Sequence, residues 1–165
     1  GSGGGPPKAG SGPVSILTKM WRETPETMRN SVDLDRIMHL YVRAETQRLT
    51  NIRAGQNRRK GNPGPEMSIA KLAFAELNQD ILTAAVDMMG MAGQINYDYT
   101  FRRPEDLSVD GSESGVQHGF LRVRANSIEG GTSEIMRNIL GEQVLGLPGE
   151  PRIDKDVPWI EVPRS

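Results

Sequence analysis

Hydrophobic and polar positions alternate along this chain with the spacing of helices rather than strands. From Val32 to about Arg58, apolar residues recur at Leu34, Ile37, Met38, Tyr41, Ala44, Leu49 and Ile52, which places them on one helix face. Ser31 is suited to the N-cap, and Asp33 and Asp35 suit the positive end of the helix dipole. Arg53, Arg58, Arg59 and Lys60 suit its carbonyl end, before Gly61, Pro63 and Gly64 break the pattern. A second helix is predicted from about Pro65 to Met89, with Ile69, Leu72, Ala73, Leu77, Ile81, Ala85 and Met88 inward and Gly90 and Gly93 at its end. A third runs from about Ser112 to Ser127 with Val116, Phe120 and Val123 on one face. A fourth runs from Ser133 to about Leu145 with Ile135, Ile139, Leu140 and Val144 inward, stopped by Gly146, Leu147 and Pro148. Strand patterns are nearly absent, so the expected fold is all-α: an antiparallel bundle that buries four apolar stripes against one another.

The ends read differently from the middle. Gly1 to Pro13 is almost entirely Gly, Ser and Pro, and Ile16, Leu17, Met20 and Trp21 form only a short apolar stretch, helical at best, that stops before Pro25. The expected organisation is a flexible or irregular segment over 1–30, a helical domain over 31–147 and an irregular Pro-rich tail over 148–165. Gln94 to Gly111 reads as a polar excursion bearing Tyr97, Tyr99 and Phe101, longer than an ordinary connection and suited to a lid, a binding loop or a packing anchor.

Composition narrows the chemistry. A formal net charge of -1 with both signs interspersed gives no field that would draw nucleic acid or an anionic membrane. The chain has no cysteine, which excludes disulfides, thiolate metal sites and cysteine nucleophiles and fits a cytoplasmic protein. No apolar run reaches the length of a membrane span, so no membrane insertion is expected. His39 and His118 stand alone, without partners at metal-ligand spacing, and no metal site is expected. Arg122 and Arg124 precede a glycine pair, where they are either exposed helix charges or contacts to a phosphate.

Candidate chemistry concentrates in Ile128-Glu129-Gly130-Gly131-Thr132-Ser133-Glu134-Ile135. Glycines permit close backbone approach, Thr132 can cap the helix that follows, and the amides of its first turn attract anions. By physics alone such a turn before a helix is usually an ordinary cap that binds nothing.

The run from Glu129 to Pro148, EGGTSEIMRNILGEQVLGLP, resembles the carboxyl-terminal signature of acyl-CoA dehydrogenases, and the order of helices from Val32 onward resembles that family's terminal bundle. The resemblance implies flavin adenine dinucleotide (FAD) as cofactor, with Gly130, Gly131, Thr132 and Glu134 against it. The segment Asp87-Met88-Met89-Gly90-Met91-Ala92-Gly93 resembles the turn that reaches a neighbouring subunit's cofactor, making Asp87 and Gly90 a second set of contacts, or else a plain glycine stop. Asp87 stands where the family usually has Gln, and Met91 where it has a second Gly. Many members place the catalytic Glu directly before the Gly-Thr pair; that position is Gly130 here, with Glu129 one residue earlier as the alternative base.

The family's Arg-x-x-Phe-Gly element is absent from Trp21 to Val32, and the domain's first helix would be expected ahead of Gly1. The pattern resembles that of actinobacterial members that act on bulky or steroid-derived acyl thioesters as mixed-subunit assemblies. The implied activity is dehydrogenation of an acyl-CoA thioester to an enoyl-CoA within a homo- or hetero-oligomer, a dimer or tetramer. The alternatives are a non-catalytic partner subunit, suggested by Gly130, and a helical interaction module without cofactor.

Overall fold

The computed structural model describes residues 7–61, 66–95, 115–149 and 158–162. Among them the architecture is all-α, with five helices: α1 (Val14–Glu23), α2 (Ser31–Arg59), α3 (Glu66–Met88), α4 (Val116–Arg122) and α5 (Ser133–Ile139). Short 3-10 turns follow α3 (Gly90–Gln94) and α4 (Val123–Ser127), and a π turn, Leu140–Val144, continues α5.

Helices α2 and α3 form an antiparallel pair whose register can be read from polar contacts along it. Arg36 pairs with Asp87 at 2.7 Å, Arg43 with Asp80 at 2.7 Å, and Asn57 donates to Glu66 at 3.1 Å. Each advance along α2 is matched by an equal retreat along α3. The pair forms because both helices carry helical apolar periodicity and are joined by a short Gly/Pro-containing connection.

Helix α3 lies at the centre. Its buried residues Ala75, Leu77, Asn78, Ile81, Leu82, Ala84 and Ala85 occupy more than one face. Helices α1 and α2 pack on one side, and α4, the turn after it and α5 on another. The alanines keep the neighbouring backbones close. Gly93 is required where the chain reverses, because a Cβ there would stand 2.5 Å from the Val86 carbonyl oxygen.

The segment over 1–30, read as flexible or irregular, contains α1, and Val14 and Leu17 are among the largest fully buried side chains in the protein. They join Ile37, Leu40, Leu77, Ile81, Ala84 and Ala85 in one cluster, with Met20, Trp21 and Tyr41 packed against it. Full burial of a leucine contributes about 2 kcal/mol, and together with the other contacts of this apolar face it helps to order a ten-residue amphipathic helix that would be marginal alone. Thr24, preceding Pro25, is extended and ends α1, as the proline ring demands. Arg29 then donates to the Thr24 carbonyl at 2.9 Å and lies 5.6 Å from the Trp21 ring centre, turning the chain into α2.

Other expectations are corrected in detail. Asn30, not Ser31, caps α2, its side chain accepting from the Asp33 amide at 2.8 Å. The inward face of α2 runs through Ile37, Leu40 and Ala54, while Leu34, Met38 and Leu49 are exposed, because α1 and α3 cover only one side of it. Ile69 on α3 is likewise exposed. The third predicted helix is α4 followed by a 3-10 turn. On α5, Ile135 is 51% exposed; Ser133 is buried and Met136 half-buried instead. The π turn shifts the helical phase, and Val144 emerges from the stripe. The Tyr97, Tyr99 and Phe101 excursion, the predicted starts at Pro65 and Ser112 and most of the 148–165 tail lie outside the described residues.

Candidate functional site

The glycine turn is built by the end of the 3-10 segment after α4. The amides of Ile128 and Glu129 both donate to the Ala125 carbonyl, at 2.9 and 2.8 Å, which closes the segment and delivers the chain to Gly130. Gly130 and Gly131 then adopt φ of 69° and 104°, two consecutive positive values that side chains strongly disfavour. A Cβ on Gly131 would also meet the Met136 methyl at 3.0 Å. Thr132 caps α5, its hydroxyl accepting from the Ile135 amide at 3.3 Å. That amide is therefore committed within the helix. Glu134, in the first turn of α5, is exposed and 3.6 Å from Arg137.

The turn is braced on α3 by residues that sequence reading did not single out. Lys71 donates its ammonium to the Gly131 carbonyl, and Arg137 on α5 pairs with Glu76. Both links join positions about sixty apart in sequence, for which no local pattern exists. Arg124 donates to Thr83 at 3.0 Å and Gln79 at 3.4 Å and lies 4.3 Å from the centre of the Phe120 ring. It thus ties the end of α4 to α3. Arg122 holds Glu129, donating to both carboxylate oxygens at 3.2–3.3 Å. Each arginine offered as a phosphate contact therefore has an internal partner.

Asp87 and Gly90 lie elsewhere. Asp87 is paired with Arg36, and Gly90 (φ 57°) makes the left-handed stop after α3, with open space where a Cβ would stand. Lys71, which touches the glycine turn, is sixteen residues from Asp87 on the same helix. At 1.5 Å per residue that is about 24 Å along the axis. The structure thus brings Gly130, Gly131, Thr132 and Glu134 together and leaves Asp87 and Gly90 at the other end of α3.

A third feature was hidden in the Gly/Pro-rich amino-terminal segment. Residues 7–13 are strapped to α2: the Gly10 amide donates to Glu45 at 2.8 Å, and Arg48 donates to both Glu45 (2.8 Å) and the Pro7 carbonyl (3.1 Å). The Gly10 amide bond first, and then Arg48, hold the Glu45 carboxyl below its usual range. A Cβ on Gly10 would press on the Tyr41 ring at 3.1 Å, so glycine permits this close approach. Among the described residues, no group of three or more His, Asp or Glu side chains could hold a metal ion, and no helix is long and apolar enough to cross a membrane.

The family description "Acyl-CoA dehydrogenase, C-terminal domain" matches residues 28–145, from the turn before α2 to the end of the π turn. The chain belongs to the acyl-CoA dehydrogenase family. The acyl-CoA dehydrogenase IpdE1 of Mycolicibacterium smegmatis is 36% identical over 89 residues, covering 53% of this chain and 19% of the relative. The protein of the same name from Mycobacterium tuberculosis is 33% identical over 90 residues, covering 54% and 20%. The matched region is therefore about a fifth of those acyl-CoA dehydrogenases. In fold, the domain is similar to a solved "Tcur3481-Tcur3483 steroid ACAD", with a TM-score of 0.64 and 19% identity over 83% of this chain and 34% of that one.

Proposed function

We propose that this domain works within a larger flavin-dependent acyl-CoA dehydrogenase, where it helps to hold FAD and packs subunits together. The substrate of the whole protein would be an acyl-CoA thioester, and the product the α,β-unsaturated enoyl-CoA. FAD, when bound, supplies the acceptor for the β hydrogen, which leaves as hydride. The observation that carries this reading is the Gly130-Gly131 pair: consecutive positive-φ glycines, with the Gly131 carbonyl held by Lys71. A planar ring can approach such backbone closely.

The residues around the pair suit that group. The Thr132 oxygen accepts from Ile135, which leaves its proton to donate outward. Glu134 is exposed next to it. Asp87 and Gly90, at the far end of α3, would serve a different flavin in an oligomer, not the same one. Gly130 has no group to take the substrate's α proton, and the carboxylate of Glu129 is engaged by Arg122. The reading therefore places the base elsewhere in the intact protein, and the isolated chain is expected to be inactive.

A second reading, a non-catalytic partner subunit of a mixed dehydrogenase, is favoured by the side-chain-less Gly130 and by the two-part designation of the steroid ACAD with a similar fold. The two readings share the family and differ in where chemistry occurs.

The test is the visible absorption spectrum of the intact protein, purified without added cofactor, beside that of this chain. A flavin band in the former and none in the latter is the expected result. An intact protein that is colourless and cannot be reconstituted with FAD would rule out flavin binding. If flavin is present, Glu129→Gln and substitution of any upstream carboxylate should separate the remaining readings: an assembly whose activity never responds has its base on another subunit.

A further inference from the structure

Helix α2 buries Ile37, Leu40 and Ala54 against its neighbours, and a second apolar stripe runs along its other side. Met38, Val42 and Leu49 are 50%, 59% and 56% exposed. Spaced by four and seven residues, they share one helix face. A groove of about 300 Å³ beside them, lined by Val42, Thr46, Ile69 and Ala73 among others, carries the apolar surface across to α3. A contiguous apolar stripe rimmed by polar residues marks a contact surface. The charges at its two ends show what fits it. Asp35 stands ahead of the stripe and Arg53 beyond it, both exposed. Eighteen residues make five helical turns, so the two lie on the same face, about 27 Å apart along the axis. Asp33 adds to the acidic end, and Arg58, Arg59 and Lys60 to the basic end. Arg53 holds Glu66 at 2.9 Å, yet its side chain is 73% exposed. Arg36 and Arg43 are already paired with Asp87 and Asp80 on α3.

We propose that this face of α2 binds the same face of a second copy of this chain, with the two helices antiparallel about a two-fold axis at the level of Ala44. With that centre, Asp35 of each copy comes level with Arg53 of the other, and Met38 with the neighbourhood of Leu49, while the two Val42 side chains flank the axis. A two-fold contact needs a patch that complements itself, and a helix acidic at one end and basic at the other meets that need only when antiparallel. Parallel pairing would set Asp35 against Asp35 and Arg53 against Arg53. The antiparallel arrangement also opposes the two helix dipoles. A formal net charge of -1 leaves no general repulsion between copies. The contact sharpens the subunit-packing part of the proposed function but rests on no cofactor: the glycine turn is carried by α4 and α5 on another side of α3. Its failure would leave the flavin reading standing.

The experiment is sedimentation equilibrium of the full chain across the micromolar range, with the melting temperature of each variant recorded beside it. A monomer–dimer equilibrium is expected. Val42→Lys and Leu49→Lys, both at exposed positions, should each weaken the dimer by roughly tenfold or more, because the contact would bury lysines without partners, and both chains should stay folded. Asp35→Arg and Arg53→Asp should each weaken it on the order of tenfold, since each turns two exposed ion pairs into two repulsions. An equimolar mixture of those two variants should recover the original affinity, because every contact between positions 35 and 53 is again of opposite charge. Should Arg53→Asp fail to fold once Glu66 loses its partner, Asp35→Arg and the two lysine variants decide the matter. A chain that stays monomeric throughout the range would leave the face to another part of the intact protein or to a different subunit, and would overturn the proposal. Dimers indifferent to Val42→Lys and Leu49→Lys, charge reversals without effect, or a mixture that fails to recover would overturn it as well.

Discussion

On one side of α3, α1 and α2 contribute Val14, Leu17, Ile37 and Leu40 to an apolar cluster that Leu77, Ile81, Ala84 and Ala85 complete. On the other side, α4, α5 and the turns around them bring fewer buried apolar side chains, Val123 among them, and lean on polar links: Lys71 to Gly131, Glu76 to Arg137 and Thr83 to Arg124. Leu121, Ile128, Ile135 and Leu145 are exposed on that side. The difference teaches that stability and candidate chemistry are separated here. The long-helix side holds the domain together, whereas the short-helix side presents a shaped piece of backbone whose exposed surroundings suit contact with something else.

The largest effect should come from the packed side. Leu17→Ala removes a fully buried side chain and should cost about 3 kcal/mol in chemical denaturation. A loss below about 1 kcal/mol would mean that α1 is not part of the core and would erase the contrast. On the other side, Thr132→Ala should cost only about 1 kcal/mol, the worth of one cap. If the flavin reading holds, flavin retention by the intact protein should fall further than the melting temperature does. A change confined to stability would favour the cofactor-free module.

The strap over α2 should respond to acid. Because the Glu45 carboxyl is held below its usual range, its contribution is complete above the pKa of an unfolded glutamate and disappears as pH falls through the lowered folded value. The Gly10 amide resonance, followed against pH, should show a midpoint below that of an ordinary glutamate, and Glu45→Gln should remove the transition. A midpoint at the ordinary value counts against the strap. The smallest effect is expected at the exposed α2–α3 ion pairs: Asp80→Asn should change stability by no more than about 0.5 kcal/mol. A larger loss would mean that this side too depends on polar links.

Much of the fold was legible because helices announce themselves locally. The α2 and α3 spans, the stop at Gly90 and the cap at Thr132 follow from periodicity and from turn and cap chemistry within a few residues. Faces were read less well. Leu34, Met38 and Leu49 have the right spacing to be buried but lie where no helix covers α2, and Leu40, absent from the predicted stripe, is buried. The composition of the first thirty residues hid α1, because a ten-residue helix, even an amphipathic one, orders only against a partner. The glycine turn was found from its sequence; the braces beneath it were not.

By itself the sequence determined the helical class, the order of the helices and the family signature from Glu129 to Pro148, all properties of residues near one another along the chain. Only the tertiary structure decided that α3 is central, that Lys71 supports Gly131, that Asp87 and Gly90 stand apart from the glycine turn, and that Asn78 is buried without a partner among the described residues. Each of those depends on which faces meet after folding. A periodic stripe says that a face exists, but what covers it is set by the packing of the other helices.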